Sequence, residues 1–137
     1  MPSRSLQDAD KRLVDRYLRM AKEFEATTGH TLVVTCTYRS PEEQKKLYAL
    51  GRGANGQIED VTKVVTYLSG EPGHLSEHNH KPSRALDVAV CVGGKAIWDE
   101  RAYWPLVHLT QTVNLESGGG WSSFRDWPHV QLPRSDA

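Results

Sequence analysis

The run Ala85-Leu86-Asp87-Val88-Ala89-Val90 places the tightest constraint on what this chain can become. Its residues suit a strand with Leu86, Val88 and Val90 on one face and Ala85, Asp87 and Ala89 on the other. An ionised carboxylate in such a strand is costly unless a positive partner compensates it. The two small alanines flanking Asp87 leave room above that face for something bulky. Just upstream, Ser76-Glu77-His78-Asn79-His80 offers two imidazoles. Histidine and carboxylate are the donors of a catalytic zinc site, which takes three protein ligands and leaves a fourth position to water. Near the C-terminus, Asp126-Trp127-Pro128-His129 supplies a third ligand, His129. Asp126 is then left over, three residues from a ligand, where it can accept and return a proton. On these residues alone the first ligand is His78 or His80.

A chain of 137 residues builds one hydrophobic core, so residues 1–137 are expected to form a single domain with one site and no separate wall-binding domain. Seventeen lysines and arginines balance seventeen aspartates and glutamates, which provides no long-range attraction to nucleic acid or to an anionic membrane. No apolar run is long enough to span a bilayer, and residues 1–13 lack the apolar centre of a secretory signal, so synthesis in the cytoplasm is expected. The two cysteines, Cys36 and Cys91, sit in apolar β-like segments and are expected to be buried free thiols.

Along the chain, Leu13, Tyr17, Leu18, Ala21 and Phe24 recur at helical spacing and predict a helix between Leu6 and Ala26, closed by Gly29. Thr31 to Tyr38 is rich in β-branched residues and predicts a mostly buried strand. Ser40-Pro41-Glu42-Glu43 carries a serine N-cap, a proline at the first helical position and a glutamate to close a capping box, so a helix to about Leu50 follows. Arg39 falls in the junction before that helix, where side chains are often aimed into a cleft. Residues 51–75 are punctuated by glycines and predict a long irregular segment forming a rim of the site. Gly93-Gly94 predicts a hairpin turn leading to a strand from Lys95 to Trp98. Asp99 can cap a helix running to Val113, with Pro105 moving its start towards Tyr103. His129 to Leu132 makes a last short strand, and the tail from Pro133 to Ala137 is expected to be disordered. His30, His74 and His108 stay outside the ligand set, as a loop residue, a residue without a spaced partner and a hydrogen-bonded helix residue.

Three motifs in order resemble the zinc DD-carboxypeptidase and L-alanyl-D-glutamate endopeptidase family, and within it the single-domain bacteriophage endolysins. They are Thr37-Tyr38-Arg39-Ser40-Pro41-Glu42-Glu43-Gln44; Ser76-x-His78-Asn79 with Ala85-x-Asp87; and Trp121 to Phe124 followed by Asp126-x-Pro128-His129-x-Gln131. The likeness runs from about Leu32 to Leu132. It implies a small α+β fold of the DD-carboxypeptidase-like, hedgehog-like type, with a central antiparallel sheet beneath the metal and helices flanking it. It also implies one Zn²⁺ on His78, Asp87 and His129, with Asp126 as general base and acid. Arg39 would hold substrate or the developing oxyanion, helped by Gln44 and Ser76, with His80 at the rim as a further substrate contact. The compact family motif has seven positions from histidine to aspartate. Here His78 to Asp87 spans nine, and Ser83 stands where a glycine falls in that motif. The retained Ser76-x-His78-Asn79 selects His78 over His80, because a loop tolerates insertion better than ligand geometry tolerates a wrong neighbour.

The resemblance implies hydrolysis of the L-alanyl-D-glutamate bond in the peptidoglycan stem peptide and lysis of the bacterial cell. The protein would be a monomer acting at the wall or periplasm after release from the host cytoplasm through a holin. The other readings are a D-alanyl-D-alanine carboxypeptidase of the same family and a non-catalytic, zinc-containing wall-binding module.

Overall fold

Asp10 starts the main helix by accepting the Arg12 amide at 2.8 Å, and Gly29 ends it in the left-handed conformation at φ 73°. In the computed structural model, which describes residues 2–121 and 125–136, this helix, α1, covers Lys11–Thr28. Leu13, Tyr17, Met20 and Phe24 form its buried stripe. Leu18, expected on that stripe, is 53% exposed, and Met20 takes the inward position instead. The helix also starts later than expected, because Leu6–Asp8 is a separate turn of 3-10 helix before the Asp10 cap.

Five antiparallel strands follow the order β1-β2-β5-β4, with β3 paired to β2. They are β1 (Thr31–Cys36), β2 (Ala85–Val92), β3 (Lys95–Ile97), β4 (Glu116–Ser117) and β5 (His129–Gln131). Between them lie α2 (Pro41–Ala49) and α3 (Trp104–Thr112). The alternation expected of β2 is realised: Leu86, Val88 and Val90 join Val130 and Leu132 in the core formed with α1 and α3, while Asp87 belongs to the opposite face. Burying the apolar face of β2 fixes its register, since a slip of one residue would put Asp87 in the core.

Strand β1 corrects one expectation. It is an edge strand rather than a mostly buried one, with Val33 47% exposed while Leu32 and Val34 pack on the core. Its β-branched residues satisfy the pleat without being enclosed on both faces. A register irregularity between Val34 and Cys36 brings Cys36 opposite Asp87. The hairpin turn at Gly93 and Gly94 has positive φ at both positions, 57° and 81°, as a two-residue connection of twisted strands requires.

Pro105 moves the start of α3 as expected: Glu100–Tyr103 is 3-10 helix, and the α-helix begins at Trp104. The tail departs from expectation. Residues Arg134–Asp136 form a 3-10 turn, and Asp136 pairs with Arg16 on α1 while its carbonyl accepts from Arg84 at 2.7 Å. Two cationic side chains thus fix a segment whose composition alone looks disordered. No helix among the described residues is long and apolar enough to cross a membrane.

Candidate functional site

Asp87 and His129 are directly opposed partners on neighbouring strands β2 and β5, so sheet register alone sets them side by side. His78 arrives from a 3-10 turn, Glu77–Asn79, whose N-cap is Ser76. Ser76 Oγ accepts the His78 amide at 3.3 Å, and Asn79 Oδ1 accepts the Ser76 amide at 2.8 Å. This capping box makes Ser76 a determinant of where the His78 backbone sits, and Ser76 also lines the cleft. Asn79 Nδ2 donates to the Arg39 carbonyl at 2.8 Å, and the Arg39 amide donates to the His78 carbonyl at 2.9 Å, locking the turn to the strand–helix junction.

Two imidazole nitrogens approach one Asp87 oxygen as a result. His78 Nε2 lies 3.2 Å from Asp87 Oδ1, and His129 Nδ1 lies 3.3 Å from the same oxygen. A tetrahedral zinc with bonds of about 2.0–2.1 Å requires its ligand atoms to stand roughly 3.3–3.4 Å apart, so each of these two separations matches one edge of such a polyhedron. Among the described residues the possible ligand atoms group as Cys36, His78 and Asp87 and as Asp87, Asp126 and His129, with Asp87 common to both. The remaining imidazole nitrogens are already engaged. His78 Nδ1 lies 2.7 Å from the Thr37 carbonyl and His129 Nε2 lies 2.7 Å from Gln131 Oε1. Each ring therefore presents its free nitrogen to the shared point, the arrangement expected of metal-binding histidines. The donor set fits zinc.

His80 is not part of this constellation. Its Nε2 faces Glu77 at 3.7 Å, and it lines a separate hollow with Arg84 and Arg134. His74 and His108 are exposed, and His30 is half-buried.

The other expected residues do assemble. Asp126 Oδ2 is 3.9 Å from His129 Nδ1, and Asp126, Asp87 and His129 form one cluster of possible ligand atoms. Arg39 reaches Asp87 Oδ2 at 3.5 Å through one guanidinium nitrogen and donates to Gln44 Oε1 at 2.9 Å through the other. Its Nε is buried and has no protein partner among the described residues. Gln44, 1% exposed, continues the chain by donating to the Leu68 carbonyl at 2.9 Å and to Thr66 Oγ1 at 3.3 Å. Trp121 tilts over His129 with ring centroids 5.1 Å apart, and residues 122–124 of the expected motif lie outside the described residues.

These side chains line a cleft of about 470 Å³. One wall is Val65, Thr66, Tyr67 and Leu68, the part of the irregular 51–75 segment that borders the site as expected. It is anchored by Arg52, which donates to the Thr66 carbonyl at 3.0 Å and stacks on Tyr48 with its guanidinium 3.8 Å from the ring centre. Gly70, at φ 87°, packs so closely that a Cβ would stand 2.7 Å from the Pro41 carbonyl oxygen.

Electrostatics divides the carboxylates. Burial alone would raise the pKa of Asp87, but the His78 charge and the hydrogen bonds from His129 and His78 hold it well below the ordinary value. For His78, burial opposes protonation, yet the Asp87 carboxylate prevails and raises its pKa. Burial, followed by repulsion from Asp87, pushes the Asp126 carboxyl above its usual range. Two acids a few ångströms apart are thereby tuned in opposite directions, as a charged ligand and a proton acceptor would be.

Several contributors carried no clear sequence signal. Ser83 is fully buried, with Oγ 2.9 Å from the Thr37 carbonyl that also holds His78. Gln131 belonged to the third motif without a role of its own. Both cysteines are free, but Cys36 lies nearer the chemistry than a mere core thiol, 3.7 Å from His78 Nδ1 and 3.6 Å from an Arg39 nitrogen.

No protein-family model matches the chain. A curated relative, the peptidoglycan L-alanyl-D-glutamate endopeptidase CwlK of Bacillus subtilis, is 32% identical over 121 residues, covering 81% of this chain. The chain spans 66% of that relative's length. Among solved structures, the L-Ala D-Glu endopeptidase ChiX of Serratia marcescens superposes with a TM-score of 0.67 at 21% identity, over 99% of this chain and 91% of that one. The vancomycin-resistance D,D-pentapeptidase VanY of a VanB-type cassette, solved with Zn(II), gives 0.63 at 14% identity, over 90% and 72%. The chain is thus similar in sequence to an L-alanyl-D-glutamate endopeptidase and shares its α+β fold with two solved peptidases, one of them solved with zinc.

Proposed function

We propose that the protein is a zinc-dependent peptidoglycan peptidase that hydrolyses the L-alanyl-D-glutamate bond of the stem peptide. The observation that carries this is the approach of His78 Nε2 and His129 Nδ1 to one oxygen of Asp87, each at zinc-ligand spacing from it, with a fourth group, Asp126, 3.9 Å from His129. A site that served only structure would have no use for that extra carboxylate of raised proton affinity. The bond assignment is supported by the activity named for the Bacillus subtilis relative.

In this proposal His78, Asp87 and His129 hold the ion. Zinc, when bound, supplies Lewis-acid polarisation of the scissile carbonyl and acidifies a water to a pKa of about 7. Asp126 takes a proton from the attacking water as its oxygen bonds to the carbonyl carbon. It then delivers that proton to the amine nitrogen as the C–N bond breaks. In the zinc-free protein burial raises the affinity of Asp126 for a proton, which favours a group that must both take one and return it. Arg39, fixed by Gln44 and Asp87, presents positive charge to the oxyanion or to a substrate carboxylate. Ser76 and Gln44 support these groups, and the Val65–Leu68 wall supplies apolar contact for the stem peptide.

The finer setting rests on the motif resemblance to single-domain bacteriophage endolysins: a monomeric lysin released through a holin to reach the wall. His80 sits outside the cleft, so its part in this proposal is limited to the outer rim.

Purified peptidoglycan digested by the protein should yield muropeptides with a new N-terminal D-glutamate by mass spectrometry, and a chelator should stop the reaction. Release of free D-alanine without that terminus assigns the carboxypeptidase reaction instead. Asp126→Ala should retain zinc and lose turnover, whereas His78→Ala and His129→Ala should lose both. Near-normal lysis by Asp126→Ala removes the assigned base.

A further inference from the structure

Gln131 lies on β5 two residues after His129, so both side chains emerge on the same face, and it is the direct cross-strand partner of Glu116 on β4. The three side chains form a chain of bonds. Gln131 Nε2 donates to Glu116 Oε2 at 3.2 Å, and His129 Nε2 is 2.7 Å from Gln131 Oε1. Each bond has only one possible direction. A carboxylate accepts and cannot donate, so Glu116 draws the amide NH₂ of Gln131 to itself. The Gln131 carbonyl oxygen must then point to His129, and since that oxygen also only accepts, the proton on the imidazole must sit at Nε2. Nδ1 faces Asp87 Oδ1 at 3.3 Å, an oxygen that likewise only accepts, so a proton can sit there too in the zinc-free protein. When zinc is held, Nδ1 would be the nitrogen that gives up its proton, because the Gln131 oxygen keeps the one on Nε2.

We propose that Glu116 and Gln131 are positioning residues that set the His129 tautomer, so that Nδ1 is the metal-binding atom. The proposal rests on His129 being a zinc ligand, as proposed above. It adds a chemical distinction. A carboxylate bonded directly to a ligand imidazole increases the ligand's donation to the metal. The neutral Gln131 amide fixes orientation while keeping the Glu116 charge one residue further away. Less ligand donation leaves more positive charge on the ion for polarising a carbonyl. Glu116 and Gln131 line a separate hollow and are not among the residues lining the reaction cleft.

The experiment measures zinc dissociation constants by competition with a chromogenic chelator for the wild type, Gln131→Leu, Glu116→Gln, the exchange variant Glu116→Gln/Gln131→Glu, and His129→Ala. Loss of such an outer contact typically weakens metal binding about 10- to 100-fold, and Gln131→Leu should fall in that range. Glu116→Gln, which frees the amide to turn over, should weaken binding less. The exchange variant returns an acceptor to position 131 and a donor to position 116, and should restore affinity at least to the wild-type level. Long-range proton–nitrogen spectra of the zinc-loaded wild type should place the His129 proton on Nε2.

A proton on Nδ1, or wild-type zinc affinity in Gln131→Leu, overturns the proposal. Failure of the exchange variant to bind more tightly than Gln131→Leu does so as well, and that variant keeps both positions polar and near native length should the leucine disturb folding. If His129→Ala binds zinc as tightly as wild type, the underlying ligand assignment is wrong instead.

Discussion

Gly118 is the position where a single methyl group should damage the chemistry without touching a reacting atom. A Cβ built there would stand 2.2 Å from the Asp126 carbonyl oxygen and 3.0 Å from the Cβ atoms of both Asp126 and His129. Ordinary carbon–oxygen contact lies above 3 Å, so Asp126 must retreat by about 1 Å. That motion is resisted, because the Asp126 amide donates to the Gly118 carbonyl at 3.0 Å and its own carbonyl accepts the His129 amide at 3.1 Å. The Asp126–His129 turn would move as one body. Overpacking of this kind costs about 1–3 kcal/mol of stability, and a misplacement of ~1 Å in a reacting group can cost about 10²-fold in rate. Gly118→Ala should therefore stay folded at 25 °C, melt several degrees lower, and lose about two orders of magnitude in muropeptide release. The assays are thermal unfolding followed by circular dichroism and quantified release of D-glutamate termini. A Gly118→Ala protein with wild-type turnover would show that the close approach does not position Asp126, and the link drawn between this backbone and the reaction would be discarded.

Gln44→Leu should cost about 1–3 kcal/mol, because the Leu68 carbonyl and an Arg39 nitrogen lose a buried partner. It should also raise KM as the Val65–Leu68 wall loosens; unchanged KM with reduced melting temperature would confine Gln44 to stability. In the zinc-free protein, the raised His78 pKa contributes stability that is complete below 6.5 and lost as pH rises through the folded value. The lowered Asp87 pKa contributes stability that is complete above 3.8 and lost as pH falls through its folded value. Their joint contribution is greatest between pH 3.8 and 6.5, so denaturant unfolding of zinc-free protein should show an advantage over Asp87→Asn that peaks there; an advantage independent of pH contradicts the pairing. In the zinc-free protein burial raises the Asp126 pKa, so carbon NMR of its carboxyl should show a midpoint above 3.8; a midpoint at or below that value would contradict the raised proton affinity.

What could be read from the sequence follows from what each feature depends on. The Ser40 capping box, the Gly29 helix stop and the β2 alternation are set by residues close in sequence, and each is found where expected. Asp87 and His129 were legible because strand alternation exposes one and a motif marks the other, although their pairing needed the fold. Strand β4 was not legible, since two residues carry no periodicity, and with it went the partnership of Glu116 and Gln131. The Thr37 carbonyl that holds both His78 and Ser83 was invisible for another reason: a backbone acceptor has no residue signature. The tail was misread because its order comes from Arg16 and Arg84, far away in sequence.

Strand β2 explains why the reacting groups can be placed so closely in so small a protein. Leu86 and Val88, fully buried on one face, hold Asp87 on the other, and any slip that moved Asp87 would also expose the core. The free energy that orders the ligand set is thus largely that of folding itself, and the ion need not assemble the site from flexible parts. The cleft's opposite wall obeys different rules. Val65, Tyr67 and Leu68 are 48%, 59% and 39% exposed, tied to the body through Gln44 and Arg52 rather than through the core. In the proposed peptidase the two tasks would thus be separated: the sheet would fix the candidate ligand residues, and changes in the Val65–Leu68 wall should alter which stem peptide fits without disturbing the sheet.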